Sequence, residues 1–240
     1  MKTGETPLGR DMTLVDRIVY TTCRTLILWL GTLFFRVRVE GRENIPPRGA
    51  CVIAPVHRSN LDTPILGCVT RRRMRFMGKD TLWKSRPMAW FMFALGGFPV
   101  VRGTADRDAL RACQAVLDRG EPLVMFPEGT RKSGPVVHQL FDGPAFVAAR
   151  AGVPIVPIGI GGSERVMPKG SKLIRPKKIV MIVGPPINPP RVDGRVPRRV
   201  VGELTRQLHV ALQQLFDEAD IKAGARPAND VSGPATAEVG

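Results

Sequence analysis

His57 and Asp62 are the two side chains whose types and spacing could move a proton. His57 follows the apolar run Cys51-Val52-Ile53-Ala54, and Asp62 stands five residues further on, past Arg58, Ser59 and Asn60. On one strand that odd spacing sends the two side chains to opposite faces, and on one helix it leaves them ~140° apart. They meet only if the chain turns between them, with His57 at a strand end and Asp62 in the first turn of a helix. Ser59 or Asn60 then serves as N-cap, Pro64 is early enough to be tolerated, and Asp62 suits the positive end of the helix dipole. A carboxylate held against one imidazole nitrogen leaves the other to take a proton, which makes a general base. No GxSxG elbow accompanies the pair, so the attacking hydroxyl is expected to come from a substrate.

Two further segments carry candidate ligand contacts. Gly96-Gly97-Phe98-Pro99-Val100-Val101-Arg102 puts an arginine at the end of a short strand, behind glycines that let a ligand approach. Phe126-Pro127-Glu128-Gly129-Thr130-Arg131 puts Glu, Gly, Thr and Arg on a loop after another strand. In open α/β sheets ligands gather at the carboxyl ends of strands. Two guanidiniums there make a fork for a phosphate, and Glu128 either holds one of them or accepts from a substrate hydroxyl.

These segments need strands and helices to present them. A half-buried strand is expected over 36–40, where polar and apolar residues alternate, closed by Gly41 and the Pro46-Pro47 turn. Further strands are expected over 51–55, 98–101, 122–126, 155–160 and 178–183. Helices are expected over 14–35, 61–70, 79–84, 88–95, 104–117 (capped by Thr104), 145–151 and 197–218. Leu204, Leu208, Leu212 and Leu215 give the last helix one packed face. Strands alternating with helices predict an α/β fold: a single domain with a mostly parallel or mixed sheet flanked by helices. The chain divides into an N-terminal lead and membrane-interface helical segment over 1–35, the domain over 36–220, and a tail over 221–240 expected to be disordered.

The apolar run 26–35 is about half of the roughly 20 residues a spanning helix needs. Arg24 and Arg36 flank it and Trp29 sits within, which suits a helix lying in the membrane interface or dipping into one leaflet. Asp11, Asp16 and Arg17 precede it and no small-residue cleavage site follows, unlike a signal peptide. Hydrophobic content of 43% and charged content of 24% are ordinary for a 240-residue globular chain, but a net charge of +15 is not. That charge implies a polyanionic partner: nucleic acid, anionic lipid or a phosphorylated substrate. The four cysteines form no CxxC, which fits reduced thiols and a cytoplasmic setting. His57, His138 and His209 offer no metal-ligand spacing, so no metal is expected.

Taken together, the motifs resemble a known family. His57-Arg58-Ser59 with Asp62, Gly97-Phe98 with Arg102, and Phe126-Pro127-Glu128-Gly129-Thr130-Arg131 resemble the first three motifs of the membrane-associated glycerolipid acyltransferases. Val153-Pro154-Ile155-Val156-Pro157-Ile158 resembles the fourth, and order and spacing match over about residues 35–190. The 1-acylglycerol-3-phosphate (lysophosphatidic acid) acyltransferases are the member type most resembled. The resemblance implies transfer of an acyl group from acyl-CoA or acyl-acyl carrier protein to the free hydroxyl of 1-acylglycerol 3-phosphate, giving phosphatidic acid. The resemblance also implies that no covalent enzyme intermediate forms and that no cofactor is needed beyond the donor as co-substrate. His57 would be the base and Asp62 its orienting partner. Lys79, in Gly78-Lys79-Asp80, would meet the tetrahedral oxyanion. Arg102 with Glu128, Gly129, Thr130 and Arg131 would bind the acceptor's phosphate and glycerol. Glycerol 3-phosphate or another lysolipid is the alternative acceptor. Where many relatives carry Phe-Lys-x-Gly, this chain has Phe141-Asp142-Gly143-Pro144, an aspartate in place of a lysine.

Charge agrees with an anionic membrane surface as partner. Arg165, Lys169, Lys172, Arg175, Lys177 and Lys178 share one acid-free stretch, and the cluster 71–75 adds four arginines. Near an anionic leaflet each such charge contributes roughly 1 kcal/mol. The expected location is therefore the cell membrane, peripheral or monotopic on its cytoplasmic face. A nucleic-acid module would interleave aromatics with these cations, and 165–178 has none. A hydrolase using Ser59 would need a serine aimed at a base two residues away in the same tight turn, without an elbow.

Overall fold

The computed structural model describes residues 11–100, 107–171, 173–192 and 194–225. Seven strands, β1 (Arg38–Glu40), β2 (Cys51–Pro55), β3 (Arg75–Lys79), β4 (Gly97–Val100), β5 (Pro122–Val124), β6 (Ile155–Gly161) and β7 (Val180–Val183), form one sheet. Their order is β1-β7-β6-β2-β5-β3-β4, and every neighbouring pair is parallel except β6 with β7. The sheet is thus mixed, as expected. Every residue of β2, β5 and β6 is buried, so both faces of the sheet's centre are covered.

Among the described residues, seven α-helices supply the cover: α1 (Leu14–Phe35), α2 (Asp62–Ile65), α3 (Arg86–Ala94), α4 (Arg107–Asp118), α5 (Gly143–Ala151), α6 (Ser163–Val166) and α7 (Arg198–Lys222). One group is α7 packed on β6 and β7 and against α5, which in turn meets α4. A second is α1, packed against α2, α3 and the 3₁₀ turn Leu66–Cys68. The expected face of α7 forms through Leu204, Leu208 and Leu212, continued by Phe216 rather than the half-buried Leu215. Each such burial contributes roughly 1.5–3 kcal/mol. α7 lies directly on β6 because that strand has Gly159 and Gly161 beneath it. A Cβ added at these positions would sit 2.3 Å from the Leu215 backbone and 2.2 Å from that of Ala219.

α1 starts on a capping box: the Asp16 amide donates to the Thr13 hydroxyl, and the Asp16 carboxylate accepts from the Thr13 amide. The helix spans 22 residues, with a mean hydropathy of 1.5 over its most apolar window, long and apolar enough to cross a membrane. Little of that window is buried: Leu14, Ile18, Leu26, Trp29, Leu33 and Phe34 are exposed.

Several expectations are corrected. Neither Ser59 nor Asn60 is an N-cap: the helix begins at Asp62 after Leu61, and the Asp62 carboxylate itself takes the turn's amides. The expected helix over 61–70 is one short α-turn followed by the 3₁₀ turn Leu66–Cys68. β3 was not anticipated, because Phe76 and Met77 are its only large apolar residues and give no alternation to read. The helix expected over 79–84 is instead a 3₁₀ turn, Asp80–Trp83, entered from β3. The arginine cluster before β3 does not face lipid as a block. Arg72 donates to the carbonyls of Pro46, Gly49 and Gly120, while Arg73 and the buried Arg75 face Glu121 and the Phe93 ring. α7 continues through Lys222, four residues past the expected helix end at 218. The Thr104 cap and most of the tail expected to be disordered lie outside the described residues.

Candidate active site

β6, β2, β5, β3 and β4 run the same way, so their carboxyl ends share one edge of the sheet. His57 leaves β2 there, and the segment 126–131 leaves β5, the next strand. Lys79 is the last residue of β3, paired with Val100 at the end of β4. Arg102 follows two positions later and lies outside the described residues.

The turn after β2 brings His57 and Asp62 together, as the spacing required. Nδ1 of His57 lies 3.0 Å from Oδ2 of Asp62, whose side chain is wholly buried. The same oxygen accepts the Arg58 amide at 2.6 Å and the Ser59 amide at 2.7 Å. Asp62 therefore holds both the ring and the backbone that carries it. The imidazole stacks on Phe126 with centroids 4.0 Å apart and planes 25° apart. Nδ1 is thus engaged, and 17% of the side chain is exposed.

The backbone of His57 is fixed from the neighbouring strand. Its amide donates to Oε2 of Glu128 at 3.1 Å, and its carbonyl accepts from the Lys132 amide at 2.9 Å. Glu128 is buried, and its carboxylate also takes the His138 amide and the Arg58 guanidinium. Nη1 of Arg58 reaches both Glu128 oxygens, at 2.9 and 2.7 Å, and Nη2 donates to the Val136 carbonyl. The guanidinium lies 4.7 Å from the Phe216 ring of α7. So the arginine that Glu128 holds is Arg58, not Arg131.

Gly129 adopts φ +69°, and a Cβ there would fall 2.6 Å from the Phe141 ring. Its left-handed turn exposes Gly129 and Thr130 at the edge and leaves Arg131 half-buried. Phe141 is itself exposed, and the Asp142 that follows it accepts from the Thr205 hydroxyl at 2.7 Å. Sequence reasoning passed over Arg58 as a spacer and missed Phe126 as the ring's support. The signal for Arg58 was the long-range Glu128 in a Pro-Glu-Gly turn, which no local period reports. Among the described residues no group of His, Cys, Asp or Glu has the arrangement to hold a metal ion.

Residues 36–161 match the family described as Acyltransferase, and the chain belongs to that family. It is similar to the chloroplastic 1-acyl-sn-glycerol-3-phosphate acyltransferase of Arabidopsis thaliana, 29% identical over 67% of this chain and 46% of the relative. A 1-acyl-sn-glycerol-3-phosphate acyltransferase of Bacillus subtilis is 25% identical over 84% of this chain and 99% of the relative. The crystal structure of the 1-acyl-sn-glycerophosphate acyltransferase PlsC from Thermotoga maritima superposes with a TM-score of 0.70 at 28% identity, covering 88% of this chain and 81% of that one. The chain spans just under half the length of the plant and algal relatives it matches, 46% for those from Arabidopsis thaliana and Chlamydomonas reinhardtii.

Proposed function

We propose that this protein transfers an acyl group from an acyl thioester, acyl-CoA or acyl-acyl carrier protein, to the free hydroxyl of a 1-acylglycerol 3-phosphate, giving phosphatidic acid. The observation that carries this reading is the 3.0 Å contact between His57 Nδ1 and a buried Asp62, on the edge where the 126–131 loop also ends. Nε2 of His57 takes the proton of the acceptor hydroxyl as its oxygen attacks the thioester carbonyl carbon. The tetrahedral oxyanion collapses with cleavage of the carbon–sulfur bond, and the leaving thiolate recovers the proton from the imidazolium. Asp62 stabilises that imidazolium and keeps Nε2 outward. Lys79 meets the oxyanion. Arg102 and Arg131 hold the acceptor's phosphate, with Gly129 and Thr130 offering backbone room beside it. Glu128 works as a positioning residue, acting through Arg58 and the His57 amide. No cofactor enters beyond the donor.

The named relatives support the acceptor class. One further relative, a lyso-ornithine lipid O-acyltransferase of Pseudomonas aeruginosa that is 30% identical over 55% of this chain, supports a second reading with a different lysolipid acceptor. The exposed apolar face of α1 and the net charge of +15 support work at an anionic membrane, and the same reading takes the protein to its cytoplasmic face. The test is a purified-enzyme assay with one labelled acyl-CoA against lysophosphatidic acid, glycerol 3-phosphate and lyso-ornithine lipid, repeated with acyl-acyl carrier protein. Labelled phosphatidic acid is the expected main product. Free fatty acid released without an acceptor would identify a hydrolase instead.

A further inference from the structure

A cavity of about 400 Å³ opens beside Arg58, between the end of β6, helix α7 and the loop that follows β5. Its wall includes Arg58, Arg165, Arg175 and Lys177, with Glu164 and Asp220 as the acids. Both acids are already engaged. Asp220 binds Arg165 at 2.8 Å and the Gly162 amide at 2.9 Å, and Glu164 accepts from the Gly134 amide. Arg175 and Lys177 are exposed, and among the described residues no carboxylate pairs with either. Arg58 is 1% exposed, and its Nε has no hydrogen-bond partner, so the inner wall holds a donor that the protein does not use. The cavity also reaches the turn that carries His57. Arg58 follows His57 directly, and the Ser59 hydroxyl donates to the Met167 carbonyl at 2.8 Å, next to Pro168 on the rim.

We propose that this cavity binds the phosphate ester of the acyl donor, with Arg175 and Lys177 gripping the phosphate at the mouth and the thioester arm running past the Ser59–Met167 contact to His57. The proposal rests on the acyl-transfer reading and names where its second substrate sits. Coenzyme A and acyl carrier protein both present their thioester on a phosphopantetheine arm, so one anion site serves either carrier. The arrangement also separates two negatively charged substrates, with the acceptor's phosphate at Arg102 and Arg131 and the donor's at Arg175 and Lys177. A volume of this size lies at the small end of the range for small-molecule sites, adequate for a phosphate and the start of its arm.

The probes are 4′-phosphopantetheine and pantetheine, which differ only in the phosphate, titrated calorimetrically into the wild-type protein and the Arg175→Ala/Lys177→Ala variant. The phosphate is expected to tighten wild-type binding by about tenfold, as charge-assisted hydrogen bonds do, and the double variant is expected to erase that difference. In turnover the variant should raise KM for acyl-CoA by a similar factor and leave kcat and the acceptor's KM unchanged. Both side chains are exposed, and an unchanged Tm reports that the variant folds. Equal binding of the two probes to the wild type overturns the proposal, and so does a rise confined to the acceptor's KM. A parallel rise in both KM values together with lost binding to vesicles of anionic phospholipid also overturns it, because the cations would then be a membrane contact. Binding is read without turnover, so a protein that binds phosphopantetheine but does not acylate lysophosphatidic acid refutes the acceptor and leaves this site standing.

Discussion

Arg58 and Glu128, 70 positions apart in the chain, meet as an ion pair whose side chains are 1% and 0% exposed. The pair joins the turn after β2 to the loop after β5, and Glu128 passes the restraint to the His57 amide. Placement of the His57 backbone therefore depends on a buried ion pair from the neighbouring loop.

Glu128→Ala leaves the Arg58 charge buried and unpaired, and removing one partner of such a pair destabilises by about 3–5 kcal/mol. The expected result is a loss of that size in denaturant unfolding, with a fall in kcat greater than the fall in folded protein. Replacing both residues with apolar side chains of similar volume should recover much of the stability but not the activity. Stability that remains as low as in the single variant would show that the pair is not the cause.

His57→Ala should lower kcat by about 10²–10⁴ with little change in Tm. Asp62→Ala should lower kcat as well but also destabilise by roughly 1–3 kcal/mol, because two buried backbone amides lose their acceptor. Unfolding curves for the two variants separate these roles. Equal stability in both would mean that Asp62 does not hold the turn.

Gly129→Ala forces a side chain into the left-handed region and against the Phe141 ring. It should destabilise by about 1 kcal/mol and lower activity as the loop shifts. Adding Phe141→Ala removes the collision and should restore part of the activity, while the backbone strain persists. Steady-state kinetics on the two variants makes the comparison.

Burial pushes the Cys113 thiol up to about 12 and the Cys51 thiol up to about 11, the latter restrained by Arg72. In the unfolded chain these thiols ionise at their ordinary 9.0, so above that pH the unfolded state holds fewer protons than the folded one. Stability must then fall as pH rises from 9.0 towards these folded values, by about 1.4 kcal/mol per pH unit for each thiol. Denaturant midpoints on either side of that onset check the sign. At neutral pH both thiols should resist alkylation in the native protein.

Trp29→Asp with Leu33→Asp places charges on the exposed face of α1. It should release the protein from vesicles of anionic lipid while leaving Tm nearly unchanged, because both side chains are exposed. Co-sedimentation makes the comparison. Undiminished vesicle binding would refute α1 as the contact.

Much of the sheet could be read in the sequence because β2, β5, β6 and β7 are continuous apolar runs bounded by turn residues. β3 could not, since a strand of Arg-Phe-Met-Gly-Lys carries no period, and its buried Arg75 contradicts the usual place of an arginine. For the His57–Asp62 contact the spacing said only that a turn must intervene, and the accompanying motifs gave the reason to expect the two to meet. Its supports were not legible. Phe126 under the ring and Arg58 behind it are set by which strands lie side by side, and neighbours in a parallel sheet are far apart in sequence. The arginine cluster before β3 misled for a related reason, since charge in a sequence does not say whether backbone carbonyls wait nearby to take it.

One consequence follows from how α1 joins the sheet. Only Arg36 and Val37 separate its last turn from β1, and the Ile179 amide donates to the Phe35 carbonyl, so the junction has no slack. A change in the tilt of α1 would therefore pull directly on β1 and, through its pairing with β7, on the sheet that carries His57.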